Sequence, residues 1–361
     1  MTAGGSQVGI VGVASHLPSD VVDREYFERY SRPDDPLLRN PMFRAPRSRR
    51  YAKRGQTGAE LIAAAAGDLA RTVGEDAVRE VDMVISHIAL PDVPFVGSGA
   101  EIARLLGARP ARIVDLHNGH CAVLPVMLDL VCPMLAAGQV RTALLCVAQN
   151  SGRVFTQPGV RTSAHAAIPG DGAAVVLVAA TEDGGVAPVL GTHVLHRPEY
   201  APDVSITLGA QNRLYWEPGT EELDVYFDNF KAQNIIERGS ALVPEAVTAA
   251  CTAAGVRTSE IDTLITNQPN RLLLRNWSKA LGVDPARHPD TYDSYGNLFG
   301  AGIPVTLEQA ARDGALADGS LVLVGGFAGA GELAAAAAIR WNTQVLVGRS
   351  GPGPTRKGRT S

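Results

Sequence analysis

Three observations predict an α/β fold for this 361-residue chain. Short runs rich in Val, Ile and Leu recur at residues 9–14, 81–89, 143–148 and 173–180, each of strand length. Between them lie longer stretches with the three-to-four spacing of amphipathic helices. The second half of the chain also repeats the ordered blocks of the first.

The segments follow from their residues. Positions 57–73 predict a helix whose buried stripe is Leu61, Ile62, Ala65, Leu69 and Val73. Residues 31–54 lack a period, are rich in Pro and Arg, and predict an excursion over the surface; Arg44, Arg47, Arg49, Arg50, Lys53 and Arg54 form a basic cluster that reads either as a solvated face or as a contact for phosphate. Residues 112–116 predict a strand, Asn118-Gly119 a turn, and 122–137 a helix apolar almost all round, which places it centrally. The end of the chain, rich in Gly, Pro, Arg and Ser, predicts a disordered tail.

The internal repeat is legible block by block. Val81-Asp82-Met83-Val84-Ile85-Ser86-His87 parallels Ile261-Asp262-Thr263-Leu264-Ile265-Thr266-Asn267. Leu106-Gly107 with Pro110-Ala111-Arg112 and Asp115 parallels Leu281-Gly282 with Pro285-Ala286-Arg287 and Asp290. The blocks keep their order at a spacing of about 175–180 residues, as two fused copies of one unit would. Equivalent loops then converge on a pseudo-twofold axis, and ligand sites in α/β sheets favour the carboxyl ends of strands.

Composition bounds the function. Lys and Arg number 33 against 37 Asp and Glu, a net charge of −4, so nothing favours nucleic acid or an anionic membrane. Hydrophobic residues make up 45% and charged residues 19%, enough for a sizeable core. No uncharged apolar run approaches the roughly 20 residues of a membrane span, and no secretory leader opens the chain, so the expectation is a cytoplasmic protein. Cys121, Cys132, Cys146 and Cys251 lack the paired spacing of a metal or redox motif, and no metal site is expected.

Cys121 has the context of a nucleophile. It follows a strand and a turn and opens a helix, where unpaired N–H groups and the helix dipole lower a thiol pKa. The competing reading is a small buried hydrophobe, which is how Cys132, Cys146 and Cys251 read. Its counterpart in the second copy is Asn297.

The set formed by residues 115–121, Gly170-Asp171-Gly172-Ala173, Asn267-Gln268-Pro269-Asn270, Tyr295-Gly296-Asn297 with Ile303-Pro304, and Gly325-Gly326-Phe327 resembles the thiolase superfamily, in its β-ketoacyl-ACP synthase III (ketosynthase III) branch. The resemblance runs from about Gln7 to Trp341 and rests on the ordered set rather than on any one block. It implies a five-layered αβαβα fold in two similar halves: residues 1–182 carrying the nucleophilic Cys, 183–345 carrying Asn267 and Asn297, then a disordered tail at 346–361. It further implies a homodimer with no tightly bound cofactor, whose substrate is a coenzyme A or phosphopantetheine thioester brought as acyl-CoA or on an acyl carrier protein.

By the same resemblance, Cys121 accepts an acyl group as a thioester, with its own N–H and that of Gly325 as the oxyanion hole. Asn297 donates to the thioester carbonyl of the second substrate, Phe95 reaches across the dimer to the partner's acyl pocket, and Asn270 and Phe299 are further substrate-binding residues. One departure matters. Where the family has His-Gln-Ala-Asn, this chain has Asn267, and an amide exchanges no proton near neutral pH. Of the remaining histidines, His87, His117, His120 and His165, none qualifies as a replacement base. The segment at 34–54 also lacks the family's tryptophan, which makes a carrier protein at least as good a donor as coenzyme A. The reading is an acyltransferase of specialised metabolism that passes its acyl group to an amine, hydroxyl, thiol or carbon acceptor. The alternatives are a decarboxylative β-ketoacyl synthase and a non-catalytic acyl-thioester-binding subunit.

Overall fold

The structure, a computed structural model, describes residues 7–93, 95–182, 184–203, 206–208, 223–225 and 229–348. The first part of the chain runs β1 (Gln7–His16), β2 (Asp20–Asp23), α1 (Arg24–Glu28), β3 (Ser48–Tyr51), α2 (Gly58–Val73), α3 (Glu75–Arg79), β4 (Met83–Ile88), α4 (Gly99–Leu106), β5 (Arg112–Asp115), α5 (Val123–Ala136), β6 (Thr142–Gln149), α6 (Gly152–Phe155) and β7 (Gly172–Thr181). The second runs β8 (Ala187–His196), β9 (Ile206–Leu208), β10 (Leu223–Val225), α7 (Asn229–Ala253), β11 (Thr263–Thr266), α8 (Arg271–Leu281), α9 (Tyr292–Tyr295), α10 (Gly302–Arg312), β12 (Leu321–Ala328), β13 (Leu333–Arg340) and β14 (Leu346–Val347).

The strands lie in the order β11-β12-β13-β8-β1-β7-β6-β4-β5, with β14 beside β1. The halves join where β1 pairs β8 at Gly9 with Pro188 and Ile10 with Ala187. The pairing repeats across the join. β4 and β6 are parallel and β6 and β7 antiparallel, as β11 and β12 are parallel and β12 and β13 antiparallel.

Strand alternation builds the layers. In β6, Ala143, Leu145 and Val147 face one core while Leu144, Cys146 and Ala148 face another; in β13, Ala337 and Ile339 divide from Ala334, Ala336 and Ala338 in the same way. The shared inner core holds α5 and α10, represented by Val123, Leu124, Met127, Ile303 and Leu307. The outer faces are covered by α2 on the first half-sheet and by α7 and α8 on the second. The result is the expected five layers. Strands buried on both faces read as continuous apolar runs, which is why these elements were visible in the sequence.

α2 forms as the spacing predicts, opened by a capping box between Thr57 and Glu60. Three expectations change. Leu346 and Val347, assigned to the tail, pair with Gly12 and Val13 of β1, while 349–361 lie outside the described residues. Arg49, assigned to a solvated basic face, is fully buried. Its guanidinium donates to the carbonyls of Ala167 and Asp23 and lies 4.5 Å over the Phe27 ring, partners too remote in sequence to read. α5 keeps one face buried along its length, through Val131 and Leu135, while its other face opens after the first turns, where Leu130 is 46% exposed.

Candidate active site

Cys121 lies in a short 3₁₀ turn, His120–Ala122, that feeds directly into α5. The turn is conformationally demanding: Gly119 has φ 114° and His120, although not glycine, has φ 36°. It holds Cys121 almost buried, with 8% of its surface exposed.

Burial pushes the Cys121 thiol up to about 12, and the charge of Glu332 pushes the same way; a hydrogen bond from Asn267 and the residue's own N–H oppose them. The expected lowering at a helix N-terminus is therefore overturned. The dipole acts within a single turn, whereas removing a thiolate from water costs far more. Cys132 is also raised to about 12, and Cys146 and Cys251 are raised, all mainly by burial. Elevated pKa therefore does not distinguish Cys121; the hydrogen bond from Asn267 and the strained turn do.

Asn267 follows β11 and is fully buried. Its N–H donates to the Gly325 carbonyl at 3.2 Å, while its side-chain Oδ1 and Nδ2 have no ordinary hydrogen-bond partner among the described residues beyond the nearby sulfur. A buried amide whose side chain meets only one sulfur keeps hydrogen-bonding capacity for a ligand.

Gly325 is not turned toward the site as an oxyanion donor would be turned. It sits inside β12, paired with Ala336 on one side and Thr266 on the other. The parallel register turns its N–H toward β11 along with its carbonyl. The neighbouring Gly326 matters instead: a Cβ there would lie 3.0 Å from Asn267 Oδ1 and 3.0 Å from the Cys121 carbonyl oxygen. Only glycine lets β12 pass this close.

Asn297 is held from the other side. Its N–H donates to Ile168 at 3.0 Å and its carbonyl accepts from Gly170 at 3.1 Å, a bridge that ties it to the Gly170 loop. Its Oδ1 accepts the Phe299 N–H at 2.9 Å, which leaves Nδ2 as the donor available to a ligand. Phe299, with φ 45°, begins the second 3₁₀ turn, Phe299–Ala301, that leads into α10. The two turns abut, for a Cβ on Gly300 would lie 2.7 Å from the His120 carbonyl oxygen.

Asn270 caps α8 by accepting the Leu273 N–H at 2.9 Å, and its buried Nδ2 has no partner among the described residues. Phe95 is not brought to this site. With φ 66° it stands 97% exposed on a loop beside β5, flanked by exposed Val93 and Val96. Of the histidines, His87 is buried, lowered to about 4 by burial, and held by Nδ1–H donation to the Leu116 carbonyl at 2.9 Å; its ring meets that of His120 edge-on at 5.8 Å. His165 packs against Phe155. Sequence reasoning missed Gly326, Gly300 and Glu332. Gly326 stood in the Gly325-Gly326-Phe327 block without a role of its own, Gly300 carries no signal beyond being glycine, and Glu332 stands in no motif.

A family model described as 3-oxoacyl-[acyl-carrier-protein] synthase III matches residues 114–194, and one described as its C-terminal part matches 251–341. The β-ketoacyl-[acyl-carrier-protein] synthase III of Rhodospirillum rubrum is 29% identical over 327 residues, spanning 88% of this chain and 96% of the relative. These matches are all to the ketosynthase III family of the thiolase superfamily. Clostridioides difficile has a relative of the same name, 24% identical over 336 residues, with 93% and 99% of the two chains covered. In fold, this ketosynthase III-like chain matches the Thermus thermophilus synthase III with a TM-score of 0.78 at 23% identity over 93% of this chain and 99% of that one. It matches acetamide-bound Xanthomonas OleA with a TM-score of 0.76 at 18% identity, again over 93% and 99%.

Proposed function

We propose that this ketosynthase III-like chain is an acyltransferase in which Cys121 takes an acyl group from a coenzyme A or carrier-protein thioester and passes it to an acceptor. The observation that carries the reading is Asn267, a buried amide with open donor and acceptor atoms, against the Cys121 thiol where a proton-exchanging residue would serve carbon–carbon condensation. Loading needs no net base: the Cys121 sulfur attacks the thioester carbon, the C–S bond of the donor breaks, and the departing thiolate takes the proton that Cys121 gives up. Asn267 and Asn297 supply amide donors to the carbonyl oxygens. Gly326 gives them room.

The chain divides near residue 182 into the half that supplies Cys121 and the half that supplies Asn267 and Asn297, and it works in the cytoplasm as a homodimer. The exposed β5 edge supports the dimer, since Ile113, Val114, Val93, Phe95 and Val96 lie exposed along this edge strand, paired only with β4, and its neighbouring loop. Phe95 would then meet the partner's acyl pocket.

Intact-protein mass after mixing with a panel of acyl-CoA and acyl-carrier thioesters tests the reading. An acyl adduct is expected on the wild type and not on Cys121→Ala. No adduct, or one that survives the substitution, overturns it in favour of a non-catalytic binding subunit. Labelled malonyl thioester distinguishes condensation, because carbon dioxide release coupled to product formation would refute simple transfer.

A further inference from the structure

The turn between β12 and β13 carries a carboxylate that the reaction above does not use. Glu332 precedes Leu333, and its backbone carbonyl accepts the Arg197 N–H at 2.7 Å. Its side chain folds back over Gly329, so that Oε2 accepts the Ala330 N–H at 2.8 Å. This turn rests on the nucleophile's own turn: Ala122, next to Cys121, shares an apolar cluster with Ala328, Leu333 and Ala335.

No cation neutralises Glu332 among the described residues. Two arginines touch the turn, and both are committed to other acids, Arg197 to Glu245 at 2.8 Å and Arg238 to Asp203 at 2.6 Å. Arg238 also donates to the Ala330 carbonyl at 3.3 Å, which steadies the turn without pairing its carboxylate. The charge is felt at the site, where it opposes the Cys121 thiolate and partly offsets the lowering that burial imposes on His120. A negative group beside a nucleophilic sulfur hinders its ionisation. It favours a cation there.

We propose that Glu332 selects the acceptor, holding a primary amine as its ammonium beside the acyl-carrying sulfur and taking its proton. The inference rests on the acyl-transfer reading and narrows it to an amine. Of the acceptors open to that reading, only an amine arrives positively charged at neutral pH. The ammonium gives one proton to the Glu332 carboxylate, and the freed lone pair attacks the thioester carbon. The C–S bond breaks with its electrons returning to the Cys121 sulfur, which takes a second proton from nitrogen; the product is an amide, and Glu332 releases its proton to water.

Two measurements test it. Calorimetric titration of hexylammonium into Cys121→Ala, and into Cys121→Ala combined with Glu332→Gln or Glu332→Asp, reads binding without chemistry. Binding is expected in the first, weakened by about tenfold or more with Gln and by less with Asp; equal binding in all three overturns the proposal. Wild type and Glu332→Gln are then loaded from an octanoyl N-acetylcysteamine thioester and chased with hexylamine or hexanol. Release to hexylamine is expected to fall about tenfold more than release to hexanol. An equal fall for both, or no fall, counts against Glu332 as the selector. If the wild type forms no octanoyl adduct, the acyl-transfer reading fails, and the ammonium site stands or falls on calorimetry alone.

Discussion

Two turns meet at the centre of the molecule, one from each half. His120–Ala122 leads into α5 and Phe299–Ala301 into α10, and each begins with a non-glycine residue held at positive φ. Aligned on those residues, Cys121 falls opposite Gly300 and Asn118 opposite Asn297, so the sequence pairing of Cys121 with Asn297 is displaced by a few residues. One turn presents a thiol and the other presents an absence of side chain. The difference teaches that duplication supplied the geometry twice and the chemistry once.

A parallel contrast separates the strands. His87 near the end of β4 and Asn267 just after β11 hold matching positions of the repeat, yet the imidazole is tied to the carbonyl of Leu116, just past β5, while the amide is turned to the sulfur. Replacing Asn267 with His would break that contrast most severely. Alkylation of Cys121 by iodoacetamide at neutral pH should then quicken by about tenfold or more, because a proton acceptor would adjoin the thiol. An unchanged rate would mean the amide position is not in contact with the reacting atom.

Gly300→Ala attacks the seam itself. The added Cβ meets backbone, which has no rotamer to yield, and a loss of about 2–3 kcal/mol is expected by chemical denaturation. Acid sharpens the comparison of the halves, since each holds one buried histidine whose pKa burial lowers strongly. His87 and His288 are both lowered to about 4 by burial, and His288 is enclosed by hydroxyls of Thr266 and Ser278 at 2.8 and 2.7 Å. A depressed folded pKa leaves its stability intact above the unfolded value and loses it as pH falls from about 6.5 toward 4, about 2 kcal/mol per histidine of this being lost between pH 7 and 5. Asp171, raised to about 6 by burial, works in the opposite direction over its own range, gaining as pH falls. The two histidines outweigh it, so denaturation midpoints should drop between pH 7 and 5. The smallest effect is Gly67→Ala in α2, where a Cβ meets nothing within 4 Å and the helix should gain about 1 kcal/mol.

The layers were readable because β4, β6, β7, β12 and β13 are buried on both faces, and burial writes itself into composition as unbroken apolar runs. Cys121 was readable because a strand, a turn and a helix bracket it. Its electrostatics were not, since the burial that raises the thiol comes from β12 and α10, far along the chain. The nearness of Gly326 rather than Gly325 to Asn267 was hidden for a similar reason: which glycine of a pair faces the site depends on strand register, and a shift of one residue reverses the face. Arg49 looked solvated because its carbonyl partners lie at Asp23 and Ala167, and no local pattern announces them.

The contact between Gly300 and the His120 carbonyl gives the fused pair a direction in evolutionary time. A second thiol at position 300 would have to force apart the junction that holds the first, so a lineage that once made its copies unequal has no easy route back to parity. Descendants are left to diversify around a single sulfur, in residues such as Asn267 and Glu332 that border it.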